Sequence, residues 1–333
     1  MRNKINLGII GKKFGYNVIY KAFLKNKKFN IVGFSYKSKK NEEINVPKNI
    51  KIYPNWKKLI LDKRIKAIAV ATPPQLNKKI IKFAIKNNKH IFCEKPFTCN
   101  YREATDICKL VKRRDISHMV NYEFPEIGAF NFFKKKIVNK IKITKVNLNW
   151  FIFLKKRPST NWKEHHSKGG GIMFNFVCHA IYYLELLFGK IRSTKSKISI
   201  KESKKIKTVD SIIYFESGLT AKLVIKIGKL NKKIKPIHQI KILSSKGNYI
   251  LKTELDSLND KFELNKFNKT LFKNKFDNND FRIDPTFQNS KKFSTWILNR
   301  KKQIPNFFNA QRIHFIINKM LISSKKKSEV FID

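Results

Sequence analysis

The chain has 333 residues, of which 42% are hydrophobic, so it is long enough for two domains with apolar cores and too apolar to be disordered. It carries 73 lysines and arginines against 23 aspartates and glutamates, and this formal net charge of +50 would by itself indicate a nucleic-acid-binding protein. Lysine is spread along the whole chain together with asparagine, isoleucine and phenylalanine, which also have A/T-rich codons. We therefore attribute the excess of lysine to a bias of base composition. A basic protein would still attract phosphorylated ligands. A nucleic-acid binder remains an alternative that no recognition motif supports.

The cysteines and the apolar segments exclude two further classes of protein. The four cysteines show neither C-x-x-C spacing nor a cluster with histidine at metal-ligand spacing, so we expect no disulfide framework and no metal site. The longest early apolar stretch, residues 7–10, is too short for a signal peptide, and no run is long enough to span a bilayer. The sequence thus predicts a cytoplasmic protein without membrane insertion.

The first elements follow the order strand, glycine turn, helix, strand. Ile5–Ile10 predicts a strand, residues 11–15 a turn, residues 18–24 a helix and Phe29–Ser35 a second strand. This order matches the start of a Rossmann fold, in which the turn approaches the pyrophosphate of a dinucleotide. Lys13 replaces the second glycine of the motif, and its ammonium could pair with that phosphate or could simply be solvated. We expect cofactor contacts from four turn residues: Gly11, Lys13, Phe14 and Gly15.

The end of the second strand carries no carboxylate. Ser35, Tyr36 and Lys37 occupy the place where an NAD-selective protein usually presents Asp or Glu to the ribose hydroxyls. Hydroxyl groups and a cation could instead accept a 2′-phosphate. The sequence therefore predicts NADP as the preferred cofactor, with NAD as the alternative.

A strand–helix–strand unit places a lysine at an edge of the first sheet. Residues 67–71 are a continuous apolar run typical of a buried parallel strand, and residues 72–74 end it. After a predicted helix, residues 90–93 predict a second strand, so both strand ends lie at the carboxyl edge, where open α/β sheets bind ligands. Lys95 emerges there, before Pro96 stops the ladder. Lys95 is therefore the first candidate for a reactive group.

The predicted domain boundary follows the next strand. Asn100 and Glu103 resemble a capping box at the start of a helix, and residues 117–122 then predict a strand that ends at the same edge. We expect a dinucleotide-binding domain over 1–122 and a substrate-binding and oligomerisation domain over 123–333, whose terminal helix could return towards the first domain. Tyr122 is a candidate substrate contact, with ordinary packing between domains as the alternative.

The second half has the pattern of an antiparallel sheet. Apolar residues alternate from Val146 to Leu154, and residues 211–227 and 239–248 read as hairpins around glycine turns. We expect an open sheet with one face on helices and the other available to a substrate or a second subunit. Residues 259–279, rich in Asn, Lys and Asp, predict a mobile excursion.

A glycine-led helix carries the second candidate. Three glycines at 169–171 precede a predicted helix over 172–188, which Gly189 ends, and they would let a ligand approach its first turn. Three polar side chains share one face of this helix: Asn175, His179 and Tyr182. A lone histidine on an apolar helix is more often a satisfied structural residue, but these neighbours and Lys95 favour a functional role for His179.

At this point the chain resembles the Gfo/Idh/MocA oxidoreductases. The matching motifs are Gly8-Ile-Ile-Gly11 with Phe14-Gly15, Ala71-Thr-Pro-Pro74, Cys93-Glu-Lys-Pro96, and Gly169-Gly-Gly171 through His179 to Leu187-Phe-Gly189. The similarity covers nearly the full length, including a terminal helix around 309–312 and a strand at 330–332. The resemblance implies an α/β fold, with a Rossmann dinucleotide-binding domain followed by an α/β domain with a large, mostly antiparallel open sheet. Family members usually oligomerise through that sheet.

The resemblance also implies a function and further site residues. We expect hydride transfer to or from a secondary alcohol carbon of a sugar, nucleotide sugar or cyclitol, with His179 as proton acceptor and Lys95 stabilising the alkoxide. For Lys95, a cofactor contact without proton chemistry is the alternative. Four more cofactor contacts are expected: Thr72, Pro73, Asn77 and Glu94. Aromatic faces that stack on sugars and cations that meet phosphates add weaker substrate candidates: Trp162, Lys163 and His166.

Several departures from the family pattern motivate an alternative function. The family usually has Asp where Asn175 stands and another Asp at Tyr182, and often His at Asn77. Asn175 in place of the first Asp removes a negative charge that would help to orient His179 and raise its basicity. Together with Lys13 and Tyr16 in the glycine turn, this supports the alternative of a cofactor-binding protein of the same fold with weak or lost catalysis.

Overall fold

The computed structural model describes residues 4–37, 44–153, 158, 160–201, 205–228, 236–254, 262–267, 269–274 and 280–332. It divides into two compact units, each built on one sheet. The first unit comprises Met1–Glu123 and Arg282–Arg312, and the second comprises Phe124–Phe281 and Ile313–Asp333.

Within the described residues, regular elements follow each other closely along the chain. The strands are β1 Ile5–Ile10, β2 Phe29–Ser35, β3 Lys51–Tyr53, β4 Ala67–Val70, β5 His90–Glu94, β6 His118–Asn121, β7 Ile143–Phe153, β8 Ile191–Lys201, β9 Lys205–Phe215, β10 Thr220–Gly228, β11 Ile237–Ser244, β12 Tyr249–Glu254, β13 Glu263–Lys266, β14 Lys269–Lys273 and β15 Glu329–Phe331. The helices are α1 Lys21–Leu24, α2 Trp56–Leu61, α3 Pro74–Lys86, α4 Tyr101–Val111, α5 Gly128–Lys136, α6 Cys178–Phe188, α7 Ile283–Asn299 and α8 Phe307–Lys326.

The first sheet has six strands in the order β3-β2-β1-β4-β5-β6, and every neighbouring pair is parallel. This is the strand order of a Rossmann fold, and it brings the ends of β1, β4 and β5 to one edge of the sheet. A π-helical turn, Gly15–Tyr20, leads into α1 directly after β1. The predicted Rossmann architecture is confirmed.

The capping box predicted at Asn100 and Glu103 is present in the first unit. Asn100 accepts a hydrogen bond from the Glu103 amide at 3.0 Å, and the Glu103 carboxylate accepts one from the Cys99 amide at 3.1 Å, so a capping box starts α4. Beside the sheet, aromatic side chains interlock: Phe23, Phe29 and Phe92 join Phe293 of α7. Burial of such large rings stabilises this unit.

The second sheet has nine strands in the order β14-β13-β12-β11-β7-β10-β9-β8-β15. Only β7 and β10 are parallel neighbours within it, so the sheet is mostly antiparallel, as predicted. Burial alternates along β7 from Val146 onwards, and Leu154 lies outside the described residues. Glycines at 218 and 247, both at positive φ, turn the β9–β10 and β11–β12 hairpins.

The two faces of this sheet differ. Along β7 the buried side chains alternate with half-buried ones that line a depression of 430 Å³ on the other face. The residues around this depression are Asn147, Asn149, Phe151, Asp210, Lys222, Val224, Lys226 and Lys241. We call this surface the open sheet face.

The expectation of a mobile excursion over 259–279 is wrong for the part that the structure describes. Residues 263–266 and 269–273 are paired strands at an edge of the sheet. Phe262 and Leu264 are buried, and Glu263 lies 3.3 Å from the ammonium of Lys252, so apolar burial and an ion pair hold a segment whose polar composition concealed its alternation. The remaining residues of the stretch lie outside the described ones. Across the described chain, no helix is both long and apolar enough to cross a bilayer.

Candidate functional site

The turn after β1 requires glycine at position 11. Gly11 has φ of +117°, and a Cβ atom there would lie 2.3 Å from the carbonyl oxygen of Ala71, at the end of β4. Its amide donates to the carbonyl of Ser35 at 2.9 Å, so this one residue joins the ends of β1, β2 and β4. The helical turn starts at once, with the Tyr16 amide donating to the Lys12 carbonyl. Because Gly11 has no side chain, a ligand can approach the backbone here, beside the amides at the start of the helical turn. Such a position suits the pyrophosphate of a dinucleotide.

The other predicted turn residues have different surroundings. Lys13 is exposed, and Phe14 is half-buried with the guanidinium of Arg282 at 5.0 Å from its ring centre. Gly15 is buried, and a Cβ atom there would make ordinary contacts of 3.4 Å with Ile9 and 3.6 Å with Ala71. Position 15 therefore does not require glycine in the way position 11 does.

The end of β2 gathers cations and hydroxyl groups. Ser35 is buried, Tyr36 is half-buried and Lys37 is exposed. The ammonium of Lys12 lies 5.8 Å from the centre of the Tyr36 ring, which adds a second cation beside the position predicted for a 2′-phosphate. Lys12 was not among the predicted cofactor contacts, although its place directly after Gly11 is a signal for proximity to this strand end.

Asn77 connects the end of β4 to the segment after Lys95. It is fully buried in the first turn of α3, where its Oδ1 accepts a hydrogen bond from Thr72 at 2.6 Å. Its Nδ2 donates to the carbonyls of Pro96 at 3.2 Å and Phe97 at 3.5 Å. Asn77 thus supports the backbone beside Lys95. Pro73, which directly precedes α3, is exposed.

Lys95 is half-buried at the end of β5, and the Lys95–Pro96 peptide bond is cis. The preceding carboxyl, Glu94, is buried, and its pKa is raised above the usual range of a glutamate, first by burial and second by the charge of Glu123. Three groups oppose this shift: Lys95, the side-chain amide of Asn121, and Arg282. The carboxyl edge therefore combines a lysine with a buried carboxyl whose charged form is disfavoured.

A polar residue that was not predicted as part of the site, Asn121, bonds to Glu94. Asn121, at the end of β6, donates to Glu94 at 2.9 Å and to Thr286 at 3.0 Å, and it accepts from Asn289 at 3.0 Å. Its position at a strand end was the available signal, but its partners on α7 are distant in sequence. Tyr122, the neighbouring substrate candidate, is 1% exposed.

In the second unit, backbone of the chain itself packs closely against the glycines at 169–171. A Cβ atom at Gly170 would lie 2.2 Å from the carbonyl oxygen of Trp162, and Gly169 and Gly171 both have positive φ. The close approach that the sequence analysis assigned to a ligand is therefore made at Gly170 by the turn Trp162–Glu164.

Asn175 holds the same turn from the other side. It lies in a π-helical segment, Met173–Val177, that precedes α6, and its Nδ2 donates to the carbonyl of Lys163 at 2.9 Å. The ammonium of Lys163 lies 5.7 Å from the centre of the Trp162 ring. The structure thus brings together three predicted substrate contacts: Trp162, Lys163 and Asn175.

His179 lies deeper in this unit, on α6. It is 3% exposed, and its ring meets that of Phe124 edge-on with 4.9 Å between centres. Tyr182 is buried on the same helix, and burial, followed by the charge of Glu126, raises the pKa of its hydroxyl. His166 instead stacks on Phe174 with 5.2 Å between centres.

A second buried histidine, which the sequence analysis did not single out, lies in the same aromatic group. His238 on β11 stacks on Trp150 at 4.0 Å and shares a hydrogen bond of 2.8 Å with the hydroxyl of Tyr183. Burial lowers the pKa of His238 to about 3, so this imidazole is neutral at physiological pH. Over the described part of the chain, no group of three or more His, Cys, Asp or Glu residues could hold a metal ion.

Comparisons with known proteins agree with this architecture. An uncharacterised oxidoreductase of Synechocystis sp. is 25% identical over 204 residues, which are 59% of this chain and 54% of that protein. A 2,7-anhydro-N-acetylneuraminate hydratase of Escherichia coli is 27% identical over 144 residues, which are 42% of this chain and 38% of that protein. The matched part thus spans about half or less of these curated relatives. A solved levoglucosan dehydrogenase, in complex with NADH and levoglucosan, shares the fold with a TM-score of 0.79 at 17% identity, covering 99% of this chain and 100% of its own.

Family sequence models match both units. The oxidoreductase-family model with the NAD-binding Rossmann fold matches residues 5–122, and the model of that family's C-terminal alpha/beta domain matches residues 134–317. The second match alone spans more than half of the chain, and the two together include Gly11, Lys95 and His179. On this basis the chain belongs to the Gfo/Idh/MocA oxidoreductase family.

Proposed function

We propose that this protein is a nicotinamide-dependent oxidoreductase that acts on a secondary alcohol of a sugar, nucleotide sugar or cyclitol. The observation that carries the proposal is the shared sheet edge of the first unit, where the Gly11 turn ends β1 and Lys95 follows β5. Membership of an oxidoreductase family supports it. A levoglucosan dehydrogenase of the same fold supports a carbohydrate as the substrate class.

The proposed chemistry needs two groups of the chain. The nicotinamide ring, when bound, supplies the acceptor or donor of the hydride. His179 takes the proton from the substrate hydroxyl, and the ammonium of Lys95 stabilises the negative charge that develops on that oxygen. In the reverse direction His179 returns the proton to that oxygen. Positioned acid–base groups typically contribute about 100- to 10,000-fold to the rate, so loss of either group should reduce turnover on that scale.

We further propose that NADP is preferred over NAD. Lys37 is exposed next to Ser35 and Tyr36, and Lys12 lies over the Tyr36 ring, so two cations and hydroxyl groups are available to a 2′-phosphate. No carboxylate occurs among residues 35–37 to repel that phosphate or to bind the ribose hydroxyls.

We also propose self-association through the open sheet face. Its half-buried Phe151 and Val224 offer apolar surface, and the family resemblance favours this sheet as an interface. Val224→Lys would add a charge in the middle of the depression. If light scattering showed an oligomer for the parent protein and the same oligomer for the variant, the contact would lie elsewhere.

The experiment is a cofactor-binding assay followed by a turnover screen. Binding of NADH and NADPH is measured by fluorescence, and turnover is screened with levoglucosan, 2,7-anhydro-N-acetylneuraminate, inositols and nucleotide sugars. On a substrate that is turned over, Lys95→Met and His179→Ala should each lower kcat at least 100-fold. Lys82→Met, at an exposed site of α3, is the matched control. Full activity of Lys95→Met would refute the assignment.

A second candidate function has its own supporting observation. Asn175 uses its amide to hold the Lys163 carbonyl, and a neutral amide does not add the charge that would make His179 more basic. A protein that binds the cofactor without turning over its substrate would fit this geometry. Tight binding of NADPH with no turnover across the screen would favour this second candidate.

A further inference from the structure

Asn121 occupies a fully buried position between β5 and α7. Its side-chain amide has two hydrogens, and one is donated to Oε2 of Glu94 at 2.9 Å while the other is donated to Oγ1 of Thr286 at 3.0 Å. Its Oδ1 accepts a hydrogen bond from Nδ2 of Asn289 at 3.0 Å. Both donors and the acceptor of the amide are therefore used, which leaves it a single orientation.

The partners of Asn121 on α7 are polar and buried. Thr286 and Asn289 are fully buried and lie about one turn apart on the helix. Burial of polar side chains is unfavourable unless each finds a partner, so apolar residues of similar size would serve a purely structural contact better. Both polar groups bond to the Asn121 amide, and Nδ2 of Asn289 also donates to the carbonyl of Tyr122 at 3.4 Å.

We propose that Asn121 is a positioning residue of the cofactor site, held from α7 by Thr286 and Asn289 so that its amide fixes the Glu94 carboxyl beside Lys95. The inference rests on the proposed function, because Glu94 and Lys95 are proposed cofactor contacts. It adds to that function a link between α7 and the charge at the end of β5.

The link has a consequence for pH dependence. A hydrogen bond donated to a carboxylate favours its charged form, so the Asn121 amide keeps the pKa of Glu94 lower than burial alone would. The titratable and charged groups that face Glu94 are Glu123, Lys95, Arg282 and the thiol of Cys93. Because burial raises the pKa of Glu94 above its usual range, cofactor affinity should change with pH above that range, as Glu94 changes charge.

The test compares the pH midpoint of cofactor binding in variants of the full chain. The dissociation constant of NADPH is measured by fluorescence between about pH 6 and pH 10, a range that brackets the Glu94 transition. Asn121→Ala should move the midpoint upwards by roughly one pH unit, the size expected for one hydrogen bond to a charged group. Thr286→Val should move it in the same direction by a smaller amount, and Thr286→Ser, which keeps the hydroxyl, should restore it.

Asn26→Ala is the matched control. Asn26 is also a buried amide bonded to α7, through Ser290 at 3.0 Å, but it precedes β2 at the opposite edge of the sheet. This variant should lower stability without moving the midpoint. The inference is overturned if Asn121→Ala and Thr286→Val both keep the wild-type midpoint, or if wild-type protein binds NADPH with no pH dependence over the whole measured range. Should Asn121→Ala not fold, the Thr286 pair decides. Absence of any cofactor binding by the wild type would instead refute the proposed function itself.

Discussion

Gly11 and Ala71 approach each other so closely that a Cβ atom on Gly11 would lie 2.3 Å from the Ala71 carbonyl oxygen. Gly11→Ala should therefore displace the turn between β1 and the first helix. The steric overlap and the φ of +117° both disfavour alanine at this position. We therefore expect a loss of about 1–3 kcal/mol in the free energy of unfolding. Weaker binding of NADPH should accompany it, and urea titration and fluorescence measure the two effects.

Gly15→Ala is the control for this prediction. Its Cβ atom would make only ordinary contacts of 3.4 Å and longer, and alanine favours helix over glycine by up to about 1 kcal/mol. We expect unchanged or higher stability for this variant. Equal losses in both variants would show that the turn is not sensitive to the Ala71 contact.

Asn175→Asp should be destabilising even though the family usually has aspartate there. Nδ2 of Asn175 donates to the Lys163 carbonyl at 2.9 Å, and a carboxylate in its place would face that oxygen without a hydrogen to donate. The lost bond and the repulsion should lower the free energy of unfolding by about 1–3 kcal/mol, as measured in urea. Turnover should fall as the turn Trp162–Glu164 loosens.

The neighbouring Asn161 offers a matched substitution. Its Oδ1 accepts a hydrogen bond from the Lys163 amide at 3.0 Å, and a carboxylate can accept the same bond. Asn161→Asp should leave stability nearly unchanged. If Asn175→Asp raised turnover without loss of stability, the Asn175 hydrogen bond would be dispensable.

Much of the fold follows from local patterns in the sequence. The continuous apolar run that becomes β4 and the alternation along β7 distinguish a parallel sheet buried on both faces from a sheet with one open face. Glycines at 218 and 247 mark hairpins because positive φ is favourable mainly for glycine. These signals act within a few residues, so they can be read without tertiary information.

The parts that could not be predicted depend on distant partners. Asn121 and Asn289 are 168 positions apart, and no periodicity relates them. The glycine at 170 indicates that something approaches closely, but only the structure shows that Trp162 is what does so. Composition was misleading around Phe262 and Leu264, where many polar residues conceal a paired edge. A pattern thus indicates that a site exists, whereas its hydrogen-bond partners come from tertiary packing.

Lys37→Glu should change the cofactor preference. The substitution replaces an exposed cation beside Ser35 and Tyr36 with an anion that would repel a 2′-phosphate and could bind the ribose hydroxyls. We expect the ratio of the NADPH to the NADH dissociation constant to rise roughly tenfold or more at low salt, and less at high salt because of screening. Lys79→Glu, an equal charge change at an exposed site of α3, is the control. A ratio that moved equally in both variants would reflect only the overall charge.

His118 should contribute to loss of stability in acid. It is buried at the start of β6, where its Nδ1 accepts a hydrogen bond from the Phe307 amide at 3.2 Å, and burial lowers its pKa from 6.5 to about 3. Between these values the unfolded chain binds the proton and the folded chain does not. The free energy of unfolding therefore falls as pH falls through this window, by up to about 1.4 kcal/mol per pH unit for this one group.

His118→Asn keeps an acceptor for the Phe307 amide but does not titrate, so its stability curve should be shallower below pH 6.5 and parallel to that of the wild type above it. Urea titrations across this range measure both slopes, and identical slopes below pH 6.5 would show that His118 is already protonated in the folded protein.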